Sequence, residues 1–546
     1  MILEYVKHTK AFVIRVPRSS GRDIQTLMMQ HGLDMSMPAS TPETAVLFTH
    51  EPYAAAAFWS YATPGAKEQL GPIYTEILAS WQATSKINVK VPADQELWAF
   101  QKADIEYALR RKHSLIGDQP GLGKTPIAIA FANEVAAKRV LVICPANIRH
   151  QWAKKISEWS VMPWTGTRRT HIISTAKNGV SDVAPWTVVS YDMARVPAIW
   201  NALLREYFDV LILDEAHYLK TVDAKRTRSV FSGGQEGPGI PIASRCNRIL
   251  ALTGTPLPNR PREAYTLSRH LCWDAIDWAS EDAFRERYNP SRRIEHFNPK
   301  TGQNTWAIDE RTGRHAELQS RLRANFMTRH LKREVMPQLK MPVYDLIQVE
   351  ETVMVKQALK AESLLDIDPE NLEGADATVL GHIAAVRRQM GVALAPQVAE
   401  YIEMLLKGGE DKLVVFAWHT EVMDILEAAL AKFGVCRIDG STSAWNREIR
   451  KEQFIKLPAK RIMLGNILAM GIGTDGLQTV AWHALIAEPD WTPGNNIQAF
   501  DRLDRGGQTG RVQGDIFVAP GSIAERVLAS ALRKLQTIHN TLDKRA

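Results

Sequence analysis

Two patterns alternate along most of the chain. One is an apolar run of about four residues closed by a polar loop. The other is a longer stretch in which apolar residues recur at helical spacing. Ser114-Leu115-Ile116, Val140–Ile143, "WTVVSYDM", Val210–Leu213 and "NRILALTGTP" are runs of the first kind, with helical patterns between them. Continuous apolar runs suit strands buried on both faces, as in a parallel sheet, whereas half-exposed strands alternate. Strands alternating with helices of this length predict a doubly wound parallel sheet. The pattern returns from Leu413–Phe416 through "VCRIDG", "RIMLGNILAM" and "AWHALIAEPDW", which predicts a second parallel sheet. Residues 1–90 read differently. "AFVIRVP" and "TAVLFTH" are strands, "GRDIQTLMMQHG" and "EPYAAAAFWSYA" are helices, and together they predict a small βαβα module.

At 546 residues the chain is too long for one core, and two to four domains are expected. Apolar residues make up 45% and charged residues 23%, an ordinary globular balance. No apolar run approaches the ~20 residues that span a bilayer, and "MILEYVKHTKAFVIRVP" lacks a signal-peptide core. Cys144, Cys246, Cys272 and Cys436 are scattered without metal-ligand spacing, so neither a zinc site nor a disulfide framework is expected. The net charge of +7 permits a polyanionic partner without requiring one.

The loops that close the apolar runs carry the candidate chemistry, and ligands of open parallel sheets bind beyond the strands' carboxyl ends. In "SLIGDQPGLGKTPIAIAFANEV", Gly121, Leu122 and Gly123 lead into Lys124 and Thr125 at a helix start. Backbone N–H groups of such a loop close around phosphate oxygens, and the helix N-terminus adds its dipole. Lys124 would reach the β- and γ-phosphates of ATP, and Thr125 would bind Mg²⁺. The general phosphate-loop pattern places Gly where Asp118 stands. In "YFDVLILDEAHYLK" the carboxylates Asp214 and Glu215 end a buried strand. Asp214 holding Mg²⁺, with Glu215 orienting a water, accounts for two buried charges; a helix N-cap at Asp214 is the alternative. In "NIQAFDRLDRGGQ", Arg502 and Arg505 lie three apart, so a helix would point both from one face. They either meet a phosphate or lie on a solvated helix end, balanced by Asp501 and Asp504.

The ordered set "GDQPGLGKT", "VLVICPANIRHQW", "VVSYDM", "DEAH", "LTGTP" and "QAFDRLDRGGQ" resembles the Swi/Snf family of DNA translocases, within helicase superfamily two. The Thr253-Gly254-Thr255-Pro256 motif is similar to the DNA-directed members. The resemblance implies an α/β fold of two RecA-like lobes with helical protrusions, and ATP and Mg²⁺ between the lobes. Lys124, Asp214, Glu215, Arg502 and Arg505 take the catalytic roles, the two arginines as fingers. Gln101 in "FQKADIEYAL" takes the adenine contact. Gly473 and Asp475 in "GIGTDGLQT" fall near the family's Gly-x-Gly-x-Asn-Leu loop, with Gly476 as an extra residue, so the register is ambiguous. Loop ends at Asn147, Ser190, Tyr191, Trp418, His419, Asp439, Gly440 and Asn466 are expected to face the DNA backbone.

The same resemblance divides the chain into an accessory module (1–90), lobe one with a helical protrusion over ~270–330 (91–330), a linker carrying "MTRHLKREVMPQLKMP" (331–345) and lobe two with a second protrusion and a C-terminal helix (346–546). The module, with Glu488 and Trp491, resembles the HARP-like annealing-helicase branch. The activity implied is a DNA-dependent ATPase that moves on duplex DNA and remodels branched or protein-bound DNA. A strand-separating DNA or RNA helicase and an ATP-switched DNA clamp are the alternatives. A monomer without a membrane partner, in a bacterial or viral-host cytoplasm, is expected.

Overall fold

The computed structural model describes residues 1–528 except 21, 37, 165, 167, 176–178, 181–183, 234–238, 258–259, 277, 299–302, 311–312, 341, 365–376, 471–475, 491–492 and 527. The side chains of 147, 291–298, 303–310, 377–380, 444, 468–469, 493–495 and 497 also lie outside the description. The chain forms two compact units. Of the described residues, one holds 1–119 and 123–331, and the other holds 120–122 and 332–528.

The first unit is built on a seven-stranded sheet. Its order is Met327–Thr328, His113–Ile116, Cys246–Leu252, Phe208–Asp214, Val140–Cys144, Trp186–Ser190 and Thr170–Ile173. Every pairing is parallel. Val140–Cys144 and Trp186–Ser190 are buried at every position, which is why they read as unbroken apolar runs. The edge strand Met327–Thr328 was not legible as a strand, being two residues inside a basic stretch. It pairs with Leu115 and Ile116.

Residues 1–90 form a four-stranded antiparallel sheet, in the order Ile2–Val6, Ala11–Pro17, Thr44–Thr49 and Asp34–Met35. The expected βαβα order misses the strands Ile2–Val6 and Asp34–Met35 and the helix Pro64–Trp81. This sheet belongs to the same compact unit as the seven-stranded sheet. The helix His315–Asn325 joins them. Arg321 Nη2 lies 2.6 Å from a Glu51 carboxylate oxygen, and the Arg323 guanidinium stacks 3.3 Å from the Trp81 ring centre. The first insertion is only partly helical. Between the helix Glu281–Tyr288 and His315–Asn325 it carries an antiparallel hairpin, Ser291–Asn298 with Gln303–Glu310. Its register pairs Ile294 with Ala307 and Phe297 with Asn304.

The second unit has six parallel strands in the order Val343–Gln348, Gln513–Val518, His483–Ile486, Leu413–Ala417, Ile462–Asn466 and Val435–Ile438. The helices Val353–Ser363 and Ala377–Lys407 fall where a second protrusion was expected, and Val355, Ala358, Val398 and Ile402 join the core cluster of this sheet. The C-terminal helix expected beyond residue 528 lies outside the described residues. All four cysteines are free thiols. Among the described residues no helix is long and apolar enough to cross a membrane.

The helix that joins the two sheets of the first unit rests on Glu317, whose side chain is fully buried. Arg287 donates to both its oxygens at 2.8 and 2.9 Å, the Tyr288 hydroxyl donates at 2.7 Å and Arg321 at 3.2 Å. Glu317→Ala leaves the buried Arg321 and the partly buried Arg287 with Glu51 as their shared carboxylate and should cost about 3–5 kcal/mol. Chemical denaturation of the full chain, followed by tryptophan fluorescence, would show an early transition.

Candidate nucleotide site

The strand His113–Ile116 delivers the phosphate loop, and the helix Lys124–Glu134 leaves it. Gly121 (φ +86°) and Gly123 (φ +77°) adopt the left-handed region, which turns the loop tightly enough for its amides to converge. A Cβ on Gly123 would stand 2.5 Å from Gln101 Nε2, so the structure brings Gln101 against the loop. The Gln101 amide oxygen accepts from the Trp98 N–H at 2.9 Å. Leu122 is buried, and Thr125 is the second residue of the helix. Lys124 Nζ folds back onto the loop, donating to the carbonyl of Asp118 at 2.7 Å and of Gln119 at 3.3 Å. Burial lowers its pKa, while the negative charges of Glu215, Asp118 and Asp214 oppose that shift. The lysine and the strand-end carboxylates therefore share one electrostatic neighbourhood.

Asp214 is buried at the end of its strand. Its Oδ2 accepts from Trp152 Nε1 at 2.7 Å, and its carbonyl accepts from the Tyr191 hydroxyl at 2.8 Å. Burial and the Glu215 charge raise its pKa to about 6. Glu215 has φ +50°, a conformation that a glutamate adopts only when its surroundings hold it there. The chain then makes a single 3₁₀ turn, Ala216–Leu219, and Asp214 is not its N-cap. His217 Nδ1 lies 3.0 Å from Thr253 Oγ1 and 3.2 Å from a Glu215 oxygen, which ties the DEAH stretch to the TGTP stretch. A carboxylate and a hydroxyl are hard oxygen ligands suited to Mg²⁺. A carboxylate left deep in the protein with a raised pKa is the donor chemistry that such a cation satisfies.

Asp118, the departure from the phosphate-loop pattern, has its own partner. His330 N–H donates to Asp118 Oδ1 at 2.9 Å. His330 Nδ1 stands 3.2 Å from the same oxygen and 3.3 Å from Asp104 Oδ1. All three side chains are buried. Arg329 Nη1 donates to the carbonyls of Gly117 (2.6 Å) and Gly254 (3.2 Å). Burial works against a charged His330, but Asp104 and Asp118 outweigh it and hold its pKa well above the usual range. Burial and the Asp118 charge push Asp104 up to about 7. Burial pushes Asp118 up as well, but His330 outweighs it and the net shift is downward. None of these partners was legible in the sequence, because "MTRHLKREV" reads as a linker.

In the second unit the helix Pro493–Phe500 ends before the arginines. Arg502 and Arg505 lie on the turns beyond it, rather than on one helical face. There Arg502 N–H and Leu503 N–H bond to carbonyls three residues back. Arg502 is 7% exposed, so the solvated-end alternative fails. Arg502 Nε donates to the Gln498 carbonyl at 3.3 Å, and Arg505 Nε to the Asp501 carbonyl at 2.9 Å. Asp501 and Asp504 both accept from Lys332 Nζ, at 2.5 and 2.8 Å. Gly473 and Asp475 lie outside the described residues.

The residues expected at a DNA backbone are arranged in several ways. Ser190 is buried and caps a short helix, accepting from Met193 N–H at 3.2 Å, and Tyr191 is buried against Asp214. Both are buried, with the Tyr191 hydroxyl on the Asp214 backbone carbonyl, so the surface expectation does not hold for either. Trp418 and His419 N–H groups are taken by Glu488 Oε2, each at 2.9 Å, and His419 Nδ1 sits 2.7 Å from Glu488 Oε1. Asn466 Nδ2 donates to the Trp418 carbonyl at 2.7 Å. Asp439 accepts from Ser441 and Thr442, and the Ser441 hydrogen bond leads the effects that lower its pKa to about 2. This fixed anion shapes the turn at Gly440, where a Cβ would meet nothing. The Asn147 side chain lies outside the described residues.

The family model described as the SNF2-related domain matches residues 100–390, and that for the helicase conserved C-terminal domain matches 397–507. The chain belongs to the SNF2-related family. Among its curated relatives, "DNA annealing helicase and endonuclease ZRANB3" of Homo sapiens is 30% identical over 461 residues, covering 82% of this chain and 41% of the relative. The Xenopus tropicalis "SWI/SNF-related matrix-associated actin-dependent regulator of chromatin subfamily A-like protein 1" is 28% identical, covering 81% and 44%. This chain thus spans about two fifths of the length of these SNF2 relatives, and the likeness places it in the HARP-like branch. A solved structure, "Sulfolobus solfataricus SWI2/SNF2 ATPase core in complex with dsDNA", is 16% identical with a TM-score of 0.38, covering 85% of this chain and 99% of that one. The family assignment rests on the first two matches.

The buried cluster gives a stability prediction. A raised His330 value stabilises the fold fully below about 6.5, its ordinary value, and that contribution is lost as pH rises through the folded value. Asp104 has the same sign, and its share is gone by about 7. Asp118 acts oppositely, only in acid. The melting temperature of the full chain should therefore fall as pH rises above about 6.5, and His330→Gln should flatten that slope.

Proposed function

We propose that this chain is a DNA-dependent ATPase that uses ATP hydrolysis to move on duplex DNA and to remodel branched or protein-bound DNA. The observation that carries the reading is the shared neighbourhood of Lys124 and the strand-end pair Asp214-Glu215 beside a glycine-turned phosphate loop. The SNF2-related match and relatives named as annealing helicases support the DNA-directed part.

In this mechanism the loop amides and Lys124 hold the β- and γ-phosphates. Thr125 and Asp214 would hold Mg²⁺, which when bound neutralises charge on the transferred phosphoryl group. Trp152 and Tyr191 fix Asp214 from two sides. Glu215 orients the attacking water and accepts its proton, and its backbone geometry keeps it beside the strand end. Arg502 and Arg505 supply cations to the charge that develops on transfer.

Phosphate release by the purified chain should rise on adding duplex DNA, and a panel of single-stranded, forked and four-way DNA ranks the substrates. Equal stimulation by RNA alone, or none by DNA, overturns the reading. An arginine finger contributes roughly 10³–10⁵ in rate, which is about 4–7 kcal/mol. Arg505→Ala should therefore abolish turnover while a fluorescent ATP analogue still binds.

A further inference from the structure

The stretch Arg329–Lys332 holds two buried charge clusters whose cations are only two residues apart. On the side of the first unit, His330 sits between Asp104 and Asp118, and Arg329 bonds the carbonyls of Gly117 and Gly254. The backbone joins in as well: Gly117 N–H donates to the Thr328 carbonyl at 2.8 Å and Gln119 N–H to the His330 carbonyl at 3.1 Å. The first residues of the phosphate loop, 117–119, are thus held by residues 328–330. On the side of the second unit, Lys332 is 7% exposed and donates to Asp501 and Asp504, which flank Arg502 and precede Arg505. Both clusters have two carboxylates and one cation. A buried carboxylate that loses its cation must take up a proton or reach water, and either change moves its backbone.

We infer that Arg329–Lys332 is a positioning strap: His330 sets the phosphate loop through Asp118, and Lys332 sets the arginine-bearing turn through Asp501 and Asp504. The strap touches no reacting atom. It fixes the two elements that bind and polarise the phosphates, so its two ends govern different kinetic quantities. His330 governs nucleotide affinity, and Lys332 governs the chemical step. The inference rests on the ATPase reading above.

The test uses the full chain with His330→Gln and Lys332→Met, and the conservative variants His330→Arg and Lys332→Arg. A fluorescent ATP analogue gives Kd, phosphate release on saturating duplex DNA gives kcat, and phenylglyoxal labelling mapped by mass spectrometry reports the accessibility of Arg502. His330→Gln should weaken Kd roughly tenfold. Lys332→Met should leave Kd within about twofold, cut kcat roughly 100-fold and speed labelling of Arg502. Each conservative variant should restore its own parameter. The strap is overturned if Lys332→Met keeps wild-type kcat and labelling. It is also overturned if both variants lower affinity, rate and melting temperature together, as a general loosening would. A wild-type chain that binds nucleotide but shows no DNA-stimulated turnover overturns the ATPase reading alone, and the Kd and labelling results then still decide the strap.

Discussion

A buried carboxylate needs a cation, and much of this structure depends on that requirement. Asp118 stands where the phosphate-loop pattern has glycine, with no water to solvate it, so His330 is held charged against it and Asp104 beside it. Asp501 and Asp504 meet the same requirement through Lys332. Asp214 is met by two N–H donors, the Trp152 indole and the Glu215 amide, while burial and the Glu215 charge keep its pKa raised. Asp118, Asp501 and Asp504 are each paired with a cation of the protein and become framework. Asp214 is held by N–H donors instead, which suits the metal-binding role proposed for it.

The parallel sheets convert these local demands into a site. Strand pairing places the ends of His113–Ile116, Phe208–Asp214 and Cys246–Leu252 side by side, in registers that align Ile116, Leu252 and Asp214. The phosphate loop, the carboxylate pair and the TGTP stretch leave the sheet at one level as a result. His217 then reaches Thr253, and Arg329 spans Gly117 and Gly254. In the second unit Glu488 uses the same economy, occupying two helix-start amides and a histidine ring, so that Trp418 and His419 are fixed from within.

Much of this was legible in the order of residues. The strands were visible because strands buried on both faces leave unbroken apolar runs, and the chemical motifs were visible because their residue types have few other uses at that spacing. Three features were misread. The hairpin Ser291–Asn298/Gln303–Glu310 was assigned to a helical protrusion because its polar, basic sequence carries no clean period-two alternation. The arginines were placed on one helix, but the helix ends at Phe500 and the side chains bond back to carbonyls. Ser190 and Tyr191 were placed at a surface, although both are buried, Ser190 as the last residue of a strand buried at every position.

By itself the sequence determined the two parallel sheets, the phosphate loop at Lys124, the strand-end pair Asp214-Glu215 and the arginine pair, because each is a local pattern of side-chain type and spacing. The tertiary structure alone decided which charges neutralise which. Asp501 and Asp504 lie next to arginines in sequence yet accept from Lys332, some 170 residues earlier, and Asp118 accepts from His330, 212 residues later. Electrostatic energy depends on distance and local dielectric, not on position along the chain. Only folding fixes those distances and removes the water that would otherwise screen every pair.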